Sequence, residues 1–168
     1  MPCPRPTSRA WFTAALGGLL AVLALGCAGL KGSAWPDDEV VVGLRRTLCM
    51  GGCPEYQLVV RGNGEATLVV GAFSEEVFGR RLEQGRHAAV VDLKAWKHVL
   101  AKGAELGFDT LQARYDNPMV MDLPAAIVTL EGKEVFNRYG GPNLNELYQL
   151  IERQVGATDW TPDPAIAR

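Results

Sequence analysis

The stretch VVVGLRRTLCMGGCPEYQLVVRGNGEATLVV, residues 40–70, sets the fold class. Val40, Val41, Val42, Leu44 and Leu48 mark a β-rich run within Glu39 to Leu48, and Leu58, Val59 and Val60 mark a second from Tyr56 to Arg61. Between them Cys49, Met50, Gly51, Gly52, Cys53 and Pro54 are too rich in glycine for a helix. Arg61, Gly62, Asn63, Gly64 and Glu65 read as a tight hairpin turn, because Asn and Gly tolerate the positive φ such turns require. A third strand follows from Glu65 to Val70. Strands joined by turns this short are antiparallel neighbours.

Downstream, Glu76 to Leu82 and Arg86 to Val91 read as further short strands. Asp92 is placed as the N-cap of a helix from Leu93 to Leu106, with Leu93, Trp96, Leu100 and Ala104 on one apolar face and Gly107 as terminator. Phe108 to Leu123, with Asn117 and Pro118, reads mainly as loop. Ala125 to Leu130 and Glu134 to Tyr139 form a second hairpin about Glu131, Gly132 and Lys133. Asn143 followed by Glu146 resembles a capping box, and Leu144, Leu147, Tyr148, Ile151 and Val155 form the apolar stripe of a last helix ending at Gly156. One-faced helices are best buried against a sheet. The fold class is therefore α+β, a two-layer domain with a mainly antiparallel sheet and two helices packed on one face.

Upstream of this core, Arg5 and Arg9 precede an uncharged run from Ala10 to Gly26 with the positive-then-apolar order of a secretory signal. Leu23, Ala24, Leu25, Gly26 and Cys27 resemble the lipobox of bacterial lipoproteins, with Ala24 where Leu is commoner. The resemblance implies that Cys27 carries lipid, and two or more acyl chains anchor where one does not. A plain signal peptide and an uncleaved anchor are the alternatives, the run being close to the ~20 residues that span a bilayer. Ala28 rather than Asp after the cysteine resembles the pattern sent to the outer membrane. The expected organisation is signal segment 1–26, lipidated Cys27 with a flexible tether over 27–38, a domain over 39–156 and an extended tail over 157–168.

The 168 residues suffice for one domain with a core. At 48% apolar and 21% charged the composition excludes a disordered, collagen-like or multi-span chain. A formal charge of −2 argues against nucleic-acid binding, which needs a basic face. Cleavage before Cys27 would remove Cys3, Arg5 and Arg9 but no acid, leaving a mildly acidic chain whose only unlipidated cysteines are Cys49 and Cys53. In an oxidising exported compartment that close pair is a disulfide candidate.

Arg46, Cys49, Gly51, Cys53, Pro54 and Tyr56, then Gly62 and Gly64, resemble the opening motif of the bacterial DUF6438 domain family. Gly79, the helix after Asp92, Phe108, Leu111, Tyr115, Asp122, Pro124, Tyr139 and Leu147 follow in similar order, so the resemblance covers about residues 39 to 155. It implies an exported, often lipid-anchored domain and carries no established activity.

Two glycines between Cys49 and Cys53 let the chain curl to the roughly 4.4–6.8 Å Cα separation a disulfide requires. A structural clip is the plain reading. A redox-active pair is the alternative, although redox motifs place C-x-x-C at a helix N-terminus and strands flank this one. Only His87 and His98 are present, so no metal site and no cofactor are expected. Tyr56, Tyr115 and Asp122 are candidate binding residues. For Tyr115 and Asp122, with Asp116, the competing reading is structural, since such residues more often cap turns than do acid/base work. Ser74 has no histidine near it in sequence, and no nucleophile elbow or phosphate-binding loop is present. Gly140, Gly141 and Pro142 before the last helix could cradle an anion or simply turn. The expected function is a non-catalytic envelope lipoprotein domain that binds a protein or other envelope component, held to the membrane through lipid on Cys27 and facing the periplasm. A periplasmic thiol-disulfide oxidoreductase using Cys49 and Cys53 is the alternative.

Overall fold

The computed structural model describes residues 34–163. The expected signal segment 1–26, the lipid-bearing Cys27, the tether as far as residue 33 and the tail from 164 lie outside the described residues. Eight strands and two α-helices form an α+β fold: β1 Val40–Arg46, β2 Tyr56–Arg61, β3 Glu65–Val70, β4 Gly85–Val90, α1 Lys97–Glu105, β5 Arg114–Tyr115, β6 Ala126–Leu130, β7 Lys133–Asn137, α2 Asn145–Gly156 and β8 Thr161–Pro162. They make one sheet in the order β5-β7-β6-β1-β2-β3-β4-β8. Every pairing is antiparallel except the short β5–β7 pair, which is parallel.

Register explains the core. Leu44 stands beside Leu58 on one side and Val128 on the other, and Leu58 stands beside Leu68. With a period of two, the residues in line with these share a face, and Val42, Val60 and Val135 are likewise fully buried. The hairpin at 61–65 turns through Gly64 at φ +84°, where a Cβ would stand 2.7 Å from the Val91 carbonyl oxygen, so only glycine fits.

Glu76 to Leu82 is not a strand. The segment folds through turns closed by Val77 N–H to the Ser74 carbonyl (3.2 Å) and Leu82 N–H to the Glu75 carbonyl (2.8 Å), and Gly79 has φ +69°. Phe78 and Leu82 dip into the core without strand pairing. The first helix also differs. Asp92 does cap it, accepting from Lys94 N–H at 2.9 Å, but Leu93–Trp96 is a 3-10 turn before α1 begins. That tighter winding rotates the buried stripe to Trp96, Val99 and Gly103, leaving Leu93 and Leu100 half-buried and Ala104 exposed. At Gly103 a Cβ would stand 2.3 Å from Leu130 Cδ1, so the glycine lets α1 close on β6. In the last helix the expected stripe of Leu144, Leu147, Tyr148, Ile151 and Val155 is wholly buried.

After α2, Trp160 is 8% exposed, and its indole N–H donates to the Val155 carbonyl at 2.9 Å. Thr161–Pro162 then pairs with β4, and Arg86 Nε meets Asp163 Oδ2 at 3.0 Å. At the other end of the described chain, Gly62 and Asn63 N–H groups donate to the carbonyls of Glu39 (2.9 Å) and Asp37 (3.3 Å), and Trp35 Nε1 donates to Glu131 Oε1 at 2.9 Å. The chain thus enters β1 among the hairpin turns. Seven residues of β1 run about 23 Å at ~3.3 Å each, which puts the Cys49–Cys53 loop at the opposite end of the sheet.

Candidate functional site

Cys49 and Cys53 are disulfide-linked with a Cα separation of 5.6 Å, inside the loop between β1 and β2. Neither lies at a helix N-terminus. The loop is stitched to the segment before β6: Thr47 N–H donates to the Ala125 carbonyl (3.1 Å), Ala125 N–H donates to Thr47 Oγ1 (2.8 Å), and Met50 N–H reaches the Asp122 carbonyl (3.4 Å). These bonds bring two loops together, and both expose apolar side chains. Met50 is 88% exposed, Met119 88% and Met121 81%, with Leu48 and Leu123 each at least two-fifths exposed beside them. Methionine and leucine are normally interior residues, so a cluster on one surface end is the feature that calls for explanation.

Tyr56 is not part of that surface. It is 2% exposed, its ring meets Phe78 edge-on at 5.0 Å between centroids, and its hydroxyl donates to Glu152 of α2. Burial pushes its phenol above the ordinary tyrosine range, and the Glu152 carboxylate beside it adds to the shift. Close by, the Arg46 guanidinium sits over the Tyr148 ring at 5.1 Å, and Asn137 Nδ2 donates to the Tyr148 hydroxyl (3.2 Å) and the Pro142 carbonyl (2.9 Å). Burial raises Tyr148 too, with the Asn137 hydrogen bond and the Arg46 charge acting the other way.

Tyr115 is half-buried, and its hydroxyl accepts from Gln112 N–H at 3.0 Å. Asp116 binds Arg138 Nε at 2.6 Å and Arg114 with its other oxygen, while Arg114 lies 3.9 Å over the Phe136 ring. Desolvation pushes the Asp116 carboxyl up, but hydrogen bonds and charge from Arg138 and Arg114 outweigh it and hold it below the usual carboxylate range. Asp122 is exposed and contributes its carbonyl to the Met50 contact. Buried Ser74 donates its hydroxyl to the Glu55 and Ala72 carbonyls. His87 is buried with Nε2 at 2.8 Å from the Glu83 carbonyl, and His98 is exposed. At Gly141 a Cβ would stand 2.2 Å from Asn137 Oδ1, so the Gly140–Pro142 run packs against β7. Among the described residues no group of three or more His, Cys, Asp or Glu side chains is placed to hold a metal ion.

Of the residues singled out in the sequence, the structure joins Cys49 to Cys53 and brings Asp122 alongside them; Tyr56 belongs to the interior and Tyr115 to the β5 edge. Sequence reasoning missed Met50, Met119 and Met121. The signal was there in composition: apart from Met1 they are all the methionines of the chain, and all stand in loops.

These features define a small α+β domain with a disulfide-clipped, apolar loop end. The chain belongs to the family described as domain of unknown function DUF6438, which it matches over residues 40–155. That span opens with β1 and closes in α2, taking in both loops. No curated protein and no solved structure matches the chain.

Proposed function

We propose that this chain is a non-catalytic, lipid-anchored binding domain of the cell envelope, two-layered with both helices on one sheet face, which docks a protein partner through its 47–53 and 117–123 loops. The layer arrangement is supported by α1 approaching Leu130 through Gly103, and by α2 supplying Glu152 to Tyr56 and Tyr148 to Arg46 and Asn137. All four sheet residues fall on the face lined by Leu44, Leu58 and Val128. The observation that carries the docking role is the exposed cluster of Leu48, Met50, Met119, Met121 and Leu123. Methionine surfaces adapt to varied apolar partners. The cluster stands about 23 Å along β1 from the end at which the chain enters that strand. Localisation to the outer membrane facing the periplasm rests on the lipobox-like segment ending in Cys27 and on Ala28.

Two measurements test this. Mass spectrometry of the chain purified from its native envelope should find an acylated Cys27 as the first residue, and a retained Met1 with unmodified Cys27 would remove the anchor. Photo-crosslinking groups at Leu48 or Leu123 should give a discrete protein adduct in the native envelope, with none from Asn63 at the opposite end. Equal adducts from both ends would refute the docking face. The oxidoreductase reading takes precedence only if the Cys49–Cys53 couple is oxidising, well above about −200 mV, a range reached by dedicated disulfide donors.

A further inference from the structure

We infer that Met50, Met119 and Met121 form a thioether site for a soft monovalent cation, copper(I) or silver(I). The inference needs neither the lipid anchor nor a protein partner. Apart from Met1, these are the chain's only methionines, and no other part of the fold uses one. All three are more than four-fifths exposed, the reverse of the residue's usual placement. Beyond the adaptable apolar contact that methionine offers a docking partner, each sulfur carries a soft lone pair that leucine or isoleucine would lack.

The backbone brings the three together. Met50 N–H bonds the Asp122 carbonyl, which sets Met50 beside the residue following Met121. Met119 and Met121 are two positions apart, at most about 7 Å along the chain. Asn117 curls that segment, its side chain accepting from Met119 N–H at 3.0 Å and its carbonyl from Val120 N–H at 2.9 Å. Each methionine is unbranched with three rotatable bonds, so three sulfurs on adjoining backbones can converge on one ion without moving the sheet. The disulfide fixes the Met50 loop from within. Thioether sulfur is a ligand type that selects Cu(I), whereas hard cations take oxygen. It also suits an oxidising compartment, where the neighbouring thiols are already spent as the Cys49–Cys53 disulfide.

The probe is silver(I), a redox-inert stand-in for copper(I), titrated into the full-length chain in detergent after free thiols have been alkylated under non-reducing conditions. Carbon-13 shifts of the methionine methyl groups report the ligands directly. One equivalent should shift all three internal methyl signals together. Met50→Leu, Met119→Leu or Met121→Leu should each weaken binding by at least ~10-fold, the low end of what even outer-shell changes cost a metal site. Silver that leaves these methyl signals unmoved, or binds the triple leucine variant as tightly, would overturn the inference; His98→Gln serves as control for imidazole binding. Leucine keeps the volume and apolarity of methionine, so the triple variant should still crosslink from Leu48. Loss of the metal with retained crosslinking, or the reverse, separates this site from the docking role.

Discussion

Removing a single oxygen from Tyr56 tests whether the family motif's tyrosine is a core residue or a binding residue. Tyr56→Phe keeps the ring against Phe78 and deletes the hydroxyl that donates to Glu152. A hydrogen bond to a charged group contributes about 1.5–3 kcal/mol. Glu152 is half-buried and can recruit water when the donor is lost, so the low end applies, ~1.5 kcal/mol. At about 4 °C per kcal/mol for a domain of this size, the melting temperature should fall by about 6 °C. Glu152→Gln retains an acceptor without the charge and should lose about half as much, since charge-assisted bonds are roughly twice as strong. Because the two groups share one bond, the double variant should cost less than the sum of the singles. Urea unfolding at unchanged m-value is the assay. The pH dependence carries the same signature. A phenol raised in the folded state contributes stability fully below the unfolded value of about 10 and loses it as pH climbs toward the folded value. Tyr56→Phe should therefore flatten part of the alkaline decline. A loss below about 0.5 kcal/mol, together with a defect in partner crosslinking, would refute the reasoning and return Tyr56 to the binding surface.

Replacing both Cys49 and Cys53 by Ser should leave a folded domain destabilised by about 2 kcal/mol, the chain-entropy value for a five-residue loop; an unfolded product or an unchanged melting curve would each contradict a modest structural clip. Leu147→Ala should cost ~2–5 kcal/mol because its side chain is fully buried, whereas half-buried Leu100→Ala should cost clearly less, and equal losses in denaturant titration would undo the rotated stripe of the first helix. Asp116→Asn should destabilise the domain at neutral pH. Since Arg138 and Arg114 hold the carboxyl low, that difference is present above about pH 4 and should shrink as pH falls through the depressed folded value; a difference independent of pH would mean the pairs contribute nothing.

The strands around residues 40–70 were legible because one face is buried: burial alternates through Tyr56–Arg61 and Glu65–Val70 as the apolar pattern does. The α2 stripe was legible for the same reason at helical spacing. What failed has physical causes. Phe78 and Leu82 are apolar but four apart in a turn, which a short window cannot separate from a strand. A 3-10 first turn shifted the α1 face by one position. Arg114–Tyr115 and Thr161–Pro162 pair over two residues each, too few for any period to register. The disulfide was legible from spacing and glycine content, but the proximity of Met50 to Asp122 crosses the sheet from β1 to β6, a contact set by strand order. Met119 and Met121 therefore read as anonymous loop residues until topology placed them.

Topology also bears on why exposed methionine and leucine collect where they do. The sheet ends at β5 on one side and β8 on the other, each two residues long, and β8 contains Pro162, which has no N–H to offer a further strand. Short edges of that kind resist the strand addition by which many sheets recruit partners. The face opposite the core is mixed, with exposed Arg45, Gln57 and Glu134 beside exposed Val69 and Val90. At the end where the chain enters β1, the hairpin turns are occupied by Trp35 through Glu39. The end built from the 47–53 and 117–123 loops is where exposed methionine and leucine concentrate, and apolar side chains there gain nothing from folding unless something covers or binds them. The Cys49–Cys53 disulfide closes the first of these loops, and the Met50 N–H to Asp122 carbonyl bond ties it to the second. On the docking role proposed above, Cys49→Ser with Cys53→Ser should weaken photo-crosslinking from Leu123 while costing only about 2 kcal/mol, the contribution of a short-loop clip, and crosslinking that is unchanged would separate the disulfide from that role.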